Sequence, residues 1–201
     1  MTTKKQEKIK FSKAFWVANT VELFERAAYY GVFIVITLYL SRILGFNDIQ
    51  AASIAGIFSA CLYLLPTFAG ALADKIGFRN SMLLAFTLLT CGYLGLAVYP
   101  TWLQSAGLVE YSTTTTFTGL LESNLQYGII PIMALIVCGG AFIKSVISGT
   151  VAKETTPETR AKGFSIFYAM VNIGAFSGKT IVKPLRAVSY THLTLPTILL
   201  V

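Results

Sequence analysis

Long apolar runs, separated by short polar or basic stretches, organise this chain. They cover about Ala14–Leu44, Ile49–Ala73, Ser81–Tyr99, Leu125–Val151 and Ala161–Val182. Each approaches or exceeds the ~20 residues that an α-helix needs to cross a hydrocarbon core. The pattern predicts five membrane-spanning helices and an all-α, polytopic helix bundle. The first run is long enough to tilt or to extend past the headgroups.

Composition agrees with the pattern. The 201 residues are 55% hydrophobic and only 12% charged, with mean hydropathy +0.67, whereas a soluble domain is about 25% charged. The formal net charge of +7 is not gathered into one patch, which argues against a nucleic-acid partner. The basic residues mark topology instead. Lys4, Lys5, Lys8, Lys10 and Lys13 precede the first span. Lys75 and Arg79 lie between the second and third, and Lys153, Arg160 and Lys162 between the fourth and fifth. The stretch from Pro100 to Asn124 has neither Lys nor Arg. The positive-inside rule then sets the N-terminus in the cytoplasm, in a plasma (inner) membrane. The basic arm runs straight into the first span without a small-residue cleavage site, so that span is expected to stay as an anchor. Lys179, Lys183 and Arg186 oppose this topology; they line an internal cavity or answer to sequence beyond them. The polar tract Tyr111–Thr116 reads as a flexible linker, with a binding loop as the alternative. Cys61, Cys91 and Cys138 fall in different spans without metal spacing and read as buried small hydrophobes.

The chemistry is concentrated in Glu22-Leu23-Phe24-Glu25-Arg26-Ala27-Ala28-Tyr29-Tyr30-Gly31. A charge at a bilayer centre costs roughly 2.5–3.5 kcal/mol on insertion scales. At about 100° per residue, Glu22, Glu25, Arg26, Tyr29, Tyr30 and Phe33 share an arc of roughly 140°. Such a face looks into a bundle interior or a wet cavity. Two carboxylates against one cation leave a charge to be matched or protonated, which is what proton coupling requires; a helix-packing ion cluster is the alternative. Lys144, inside the fourth run after Gly139-Gly140, needs a partner unless it snorkels to an interface.

This run resembles the E-x-x-E-R-[F]-x-Y-Y-G motif of the proton-dependent oligopeptide transporters, a family within the major facilitator superfamily. Gly70-Ala71-Leu72-Ala73-Asp74-Lys75-Ile76-Gly77-Phe78-Arg79 is similar to the superfamily's loop motif G-x-x-x-D-[RK]-x-G-x-[RK]. Phe164-Ser165-Ile166-Phe167-Tyr168-Ala169-Met170-Val171-Asn172-Ile173-Gly174-Ala175 is similar to the peptide-transporter signature F-S-I-F-Y-x-x-I-N-x-G-A. Three departures stand out: Ala27 for the usual Phe, Phe33 where many relatives carry a second arginine, and Ser145 where a proline usually follows the fourth-helix lysine.

The resemblance implies an incomplete N-terminal half of a major facilitator fold, whose site lies near the midplane. It implies proton-coupled symport of di- or tripeptides or peptide-like solutes by alternating access in a longer parent, with the fragment alone inactive. Protons are the coupling ion, with no other cofactor and no metal. The implied partners are the solute, membrane lipid and the remainder of the chain. Glu22, Glu25, Arg26 and Lys144 are assigned to proton coupling, with Glu22 or Glu25 as counter-ion to Lys144. Arg26, Tyr29, Tyr30, Tyr63, Lys144 and Asn172 are assigned to solute binding. Gly70, Asp74, Lys75, Gly77 and Arg79 form a gating loop. In that loop the glycines permit a turn, and Asp74 pairs with a base or caps the following helix. Two rivals are another major facilitator chemistry, such as a drug or organic-anion exporter, and a non-transporting scaffold or sensor. No Ser-His-Asp, metal-spaced or P-loop pattern suggests an enzyme.

The pattern breaks near Arg186. Val188-Ser189-Tyr190-Thr191-His192-Leu193-Thr194-Leu195-Pro196-Thr197 continues no span and resembles a translated sequencing-library adapter. Residues 1–186 are therefore expected to be the transporter portion and residues 187–201 a non-native tail, so that His192 carries no function.

Overall fold

A computed structural model describes residues 10–108 and 124–198, with side chains as far as Pro184. Among the described residues, five α-helices make up the bundle: α1 (Lys13–Leu38), α2 (Asp48–Ile76), α3 (Phe78–Ser105), α4 (Ile129–Lys153) and α5 (Arg160–Ile198). No strand occurs among the described residues. The helices from Lys13, Asp48, Phe78 and Leu125 are long and apolar enough to cross a membrane. The fifth is long enough but is not among them; Asn172, Lys179 and Lys183 dilute its apolar character. The Tyr111–Thr116 tract lies outside the described residues.

Local chemistry explains where the helices begin. Ser12 caps α1 by accepting from the Phe15 N–H at 3.1 Å, and its hydroxyl donates to Glu154 just past α4 at 2.5 Å. Asn47 and Gln50 cap α2 reciprocally, at 2.8 and 3.2 Å, a capping box that satisfies two orphan N–H groups. Between α2 and α3, Gly77 has φ +85°, a backbone state nearly closed to other residues.

The elements depart from the expected spans in three places. The first run does not stay α-helical to Leu44: a π-turn occupies Tyr39–Ile43. Its wide turn lets Leu40 and Leu44 both bury, while the Tyr39 hydroxyl donates to the Leu96 carbonyl on α3 at 2.7 Å. Helix α3 passes through Pro100 to Ser105; proline removes one bond to the carbonyl four residues back, and that carbonyl, of Leu96, accepts the Tyr39 hydroxyl instead. Helix α5 runs on to Ile198 rather than stopping at Val182. No glycine follows Gly178, so nothing demands the left-handed residue that commonly ends a helix. The side chains of the expected non-native tail, His192 included, lie outside the described residues.

Helix α4 is the hub. It packs against α2 and α3 and touches α1 and α5, while α1 lies mainly along α5. Ile136, Ile143, Val146, Ile147 and Val151 of α4 are fully or almost fully buried. The α2–α4 contact is pinned by Ser145, whose hydroxyl lies 2.6 Å from the Pro66 carbonyl and 3.0 Å from that of Ala141. The residue that departs from the family pattern is thus a cross-helix donor here.

Candidate functional site

The charged face of α1 points inward. Glu22, Glu25 and Arg26 are only 1%, 8% and 7% exposed. The Arg26 guanidinium holds Glu25 Oε2 through both Nε and a terminal nitrogen, each at 2.5 Å. It lies farther from Glu22, with Nε 3.4 Å from Oε1. Glu22 Oε2 is buried and has no hydrogen-bond partner among the described residues. A buried carboxylate oxygen left unpaired is expensive. One guanidinium therefore serves two carboxylates and satisfies them unequally.

Helix α4 makes room for this cluster at Gly140, whose position leaves only van der Waals space to Glu25 Oε1, at 4.0 Å from an added Cβ. A Cβ there would also stand 2.8 Å from the Leu62 side chain. Aromatic rings line the next turns of α1. The Arg26 guanidinium carbon lies 5.0 Å from the centre of the Tyr29 ring. That ring stacks on Phe33 at 5.5 Å and on Phe58 of α2 at 6.4 Å. Phe33, one of the departures from the resembled motif, is here part of the aromatic stack. Tyr29 is buried within it, whereas Tyr30 is half-buried.

Lys144 is half-buried on α4 and within electrostatic reach of Arg26, Glu22 and Glu25. It forms no ion pair with either glutamate; its ammonium lies 4.5 Å from the centre of the Tyr63 ring. The expected direct counter-ion is thus corrected. Arg26 sits one turn from Glu22 and beside Glu25 on the same helix, and its planar fork already engages both. Tyr63 itself is largely exposed. Lys144 also lines a cavity of about 670 Å³ among α2, α4 and α5, shared with Asp74, Ser145, Ser148 and Tyr168. It therefore stands between the α1 cluster and open space.

The remaining expected residues are more dispersed. Asn172 is exposed on α5. Gly70 backs onto Ser145, with 3.6 Å between an added Cβ and the hydroxyl oxygen. Asp74, Lys75 and Arg79 are exposed around Gly77. Asp74 neither pairs with a base nor caps α3 among the described residues. It lies inside the last turns of α2, three residues before the Gly77 cap, too early to reach the α3 N–H groups. The cysteines are also corrected: Cys61 is half-buried, and Cys91 and Cys138 are exposed, because the outer faces of these helices have no protein neighbour. Cys61 and Cys138 nonetheless border one apolar cavity of about 310 Å³ between α2 and α4. That pairing joins residues far apart in sequence and has no local signal.

Residues 15–183 match the family model described as Major Facilitator Superfamily. Among curated proteins, the chain is 31% identical over 171 residues to "Dipeptide and tripeptide permease A" of Salmonella typhi, covering 82% of this chain and 29% of that protein. The protein of the same name from Serratia proteamaculans is 29% identical over 170 residues, covering 82% and 28%. That from Pectobacterium carotovorum subsp. carotovorum is 28% identical over 184 residues, covering 89% and 31%. The chain thus spans less than a third of the length of these relatives. No solved structure matches it significantly.

Proposed function

The chain belongs to the Major Facilitator Superfamily, and from that premise we propose that the protein carrying it is a proton-coupled symporter of di- and tripeptides or similar solutes. The names of the relatives support the substrate class. One observation carries the coupling: two buried carboxylates share a single guanidinium, and Glu22 Oε2 is left without a partner among the described residues. A proton on that carboxyl removes the excess negative charge; a departing proton restores it. Alternating between these states is the property a proton carrier needs.

In this reading the N-terminus is cytoplasmic. Arg26 is released from Glu25 when Glu25 takes a proton, and it can then receive a solute carboxylate together with Lys144. Lys144 is suited to that task because it rests on a ring rather than on a carboxylate. Tyr30, Tyr63 and Asn172, which are half-buried or exposed, supply hydrogen bonds to the peptide. Tyr29, in its stack, holds the Arg26 side of the site. The loop around Gly77 acts as a gate, and the cavity beside Lys144 forms part of the solute path.

The test is uptake by the full-length protein reconstituted in vesicles. Glu25→Gln abolishes accumulation driven by a proton gradient and leaves peptide exchange without a gradient intact. Gradient-driven accumulation that survives in both Glu22→Gln and Glu25→Gln sinks the coupling assignment. Failure of dipeptides to compete for uptake sinks the substrate class and favours an exporter chemistry.

A further inference from the structure

Lys179 opposes the positive-inside pattern, and the assignments above leave it without a role. It follows Gly178, where α5 crosses α1 at backbone contact. A Cβ at Gly178 would collide with the Ala27 carbonyl, and one at Gly174 would stand 2.9 Å from the Arg26 Cβ. A residue just past this seam emerges beside Tyr30, and the Lys179 ammonium lies 4.8 Å from the centre of that ring. Lys179 is 19 residues past the start of α5, about 28 Å along the helix at ~1.5 Å per residue. Instead of extending to an interface, its ammonium folds onto α1.

The cation count is informative. Arg26, Lys144 and Lys179 each lie over a tyrosine, respectively Tyr29, Tyr63 and Tyr30. The two glutamates of the cluster are both engaged by Arg26, and among the described residues neither lysine forms an ion pair. Tyr30 and Tyr63 are within interaction range of each other. The row Lys179–Tyr30–Tyr63–Lys144 is therefore continuous, with an ammonium at each end. A ring face holds an ammonium less firmly than a carboxylate does, so both ends are open to an anion.

We propose that Lys179 is a specificity-determining residue that receives a second carboxylate of the solute, so that the site favours peptides with an acidic side chain. Lys144 takes the peptide's terminal carboxylate at one end of the row, and Lys179 takes the acidic side chain at the other. The inference rests on the peptide-transport reading above.

The experiment uses the full-length protein in vesicles, with labelled Ala-Ala uptake competed by Ala-Glu, Ala-Ala and Ala-Lys. In the unmodified protein Ala-Glu competes at a lower concentration than Ala-Lys. Lys179→Gln weakens Ala-Glu relative to Ala-Ala by on the order of fivefold, the upper end for a partly exposed charge pair. Lys179→Glu turns the preference toward Ala-Lys, and Lys179→Arg keeps the acidic preference, which separates charge from packing. An acidic-to-neutral ratio unmoved by Lys179→Gln and Lys179→Glu, with peptides still competing, overturns this inference alone. Absence of competition by any peptide already in the unmodified protein overturns the peptide reading and this inference with it.

Discussion

Replacing Arg26 by Met keeps an apolar stem of similar length to that which carries the guanidinium and deletes the charged group. In the native cluster the guanidinium makes two 2.5 Å contacts to Glu25 and one 3.4 Å contact to Glu22. Both carboxylates are almost fully buried, so neither can turn to water for compensation. Removing one partner of a buried ion pair costs about 3–5 kcal/mol, because the other charge is stranded. For a full-length protein of the relatives' size, about three times as long as this chain, that corresponds to a fall in Tm of roughly 3 °C. A carboxyl group that carries a proton needs no counter-charge, so the loss shrinks as the pH is lowered. Lys144→Met is the comparison: its ammonium contacts a ring, and its removal costs about 0.5–2 kcal/mol, with a smaller dependence on pH than Arg26→Met because it reaches the glutamates only at a distance. The assay is thermal unfolding of the full-length protein in lipid nanodiscs at pH 8 and pH 5. A melt of Arg26→Met within about 1 °C of the unmodified protein at both pH values, which corresponds to ~1 kcal/mol for a protein of that size, would refute the stranded-charge cost. The reasoning also fails if the loss is equal at the two.

Two further substitutions test the packing that positions the site. Gly178→Leu puts a branched side chain against the Ala27 backbone; it costs about 1–3 kcal/mol as overpacking and speeds hydrogen exchange along α1 and α5, while exchange in α3 stays unchanged. Ser145→Ala removes the hydroxyl that reaches the Pro66 carbonyl. It lowers stability by about 1 kcal/mol in a thermal melt, and Ser145→Thr recovers part of that loss.

The helices and the charged face of α1 were legible because both are periodic properties of one segment. The apolar runs place α1 to α4, with the ends of α1 and α3 off by six residues, and the spacing of Glu22, Glu25, Arg26 and Tyr29 puts them on one face, all of them buried. What lies across a helix interface is not periodic. Nothing in the local pattern says that Lys144 rests on Tyr63, that Lys179 rests on Tyr30, or that Cys61 and Cys138 border the same cavity. The π-turn at Tyr39–Ile43 was hidden for a similar reason. It depends on the fit of Leu40, Leu44 and Tyr39 against neighbouring helices, whereas the run itself reads as unbroken helix. The loop motif announces the Gly77 turn through its glycines, but the role of Asp74 depends on partners beyond its own turn.

In the proposed mechanism the buried acidic face of α1 takes up and releases a proton. Infrared difference spectroscopy between alkaline and acidic pH reports this directly, through the carbonyl stretch of a protonated carboxylic acid. The full-length protein should gain that band on acidification. Glu22→Gln and Glu25→Gln should each diminish it, and the double variant should lose the component that peptide binding perturbs. An identical band in the double variant, with the same response to peptide, would contradict the account.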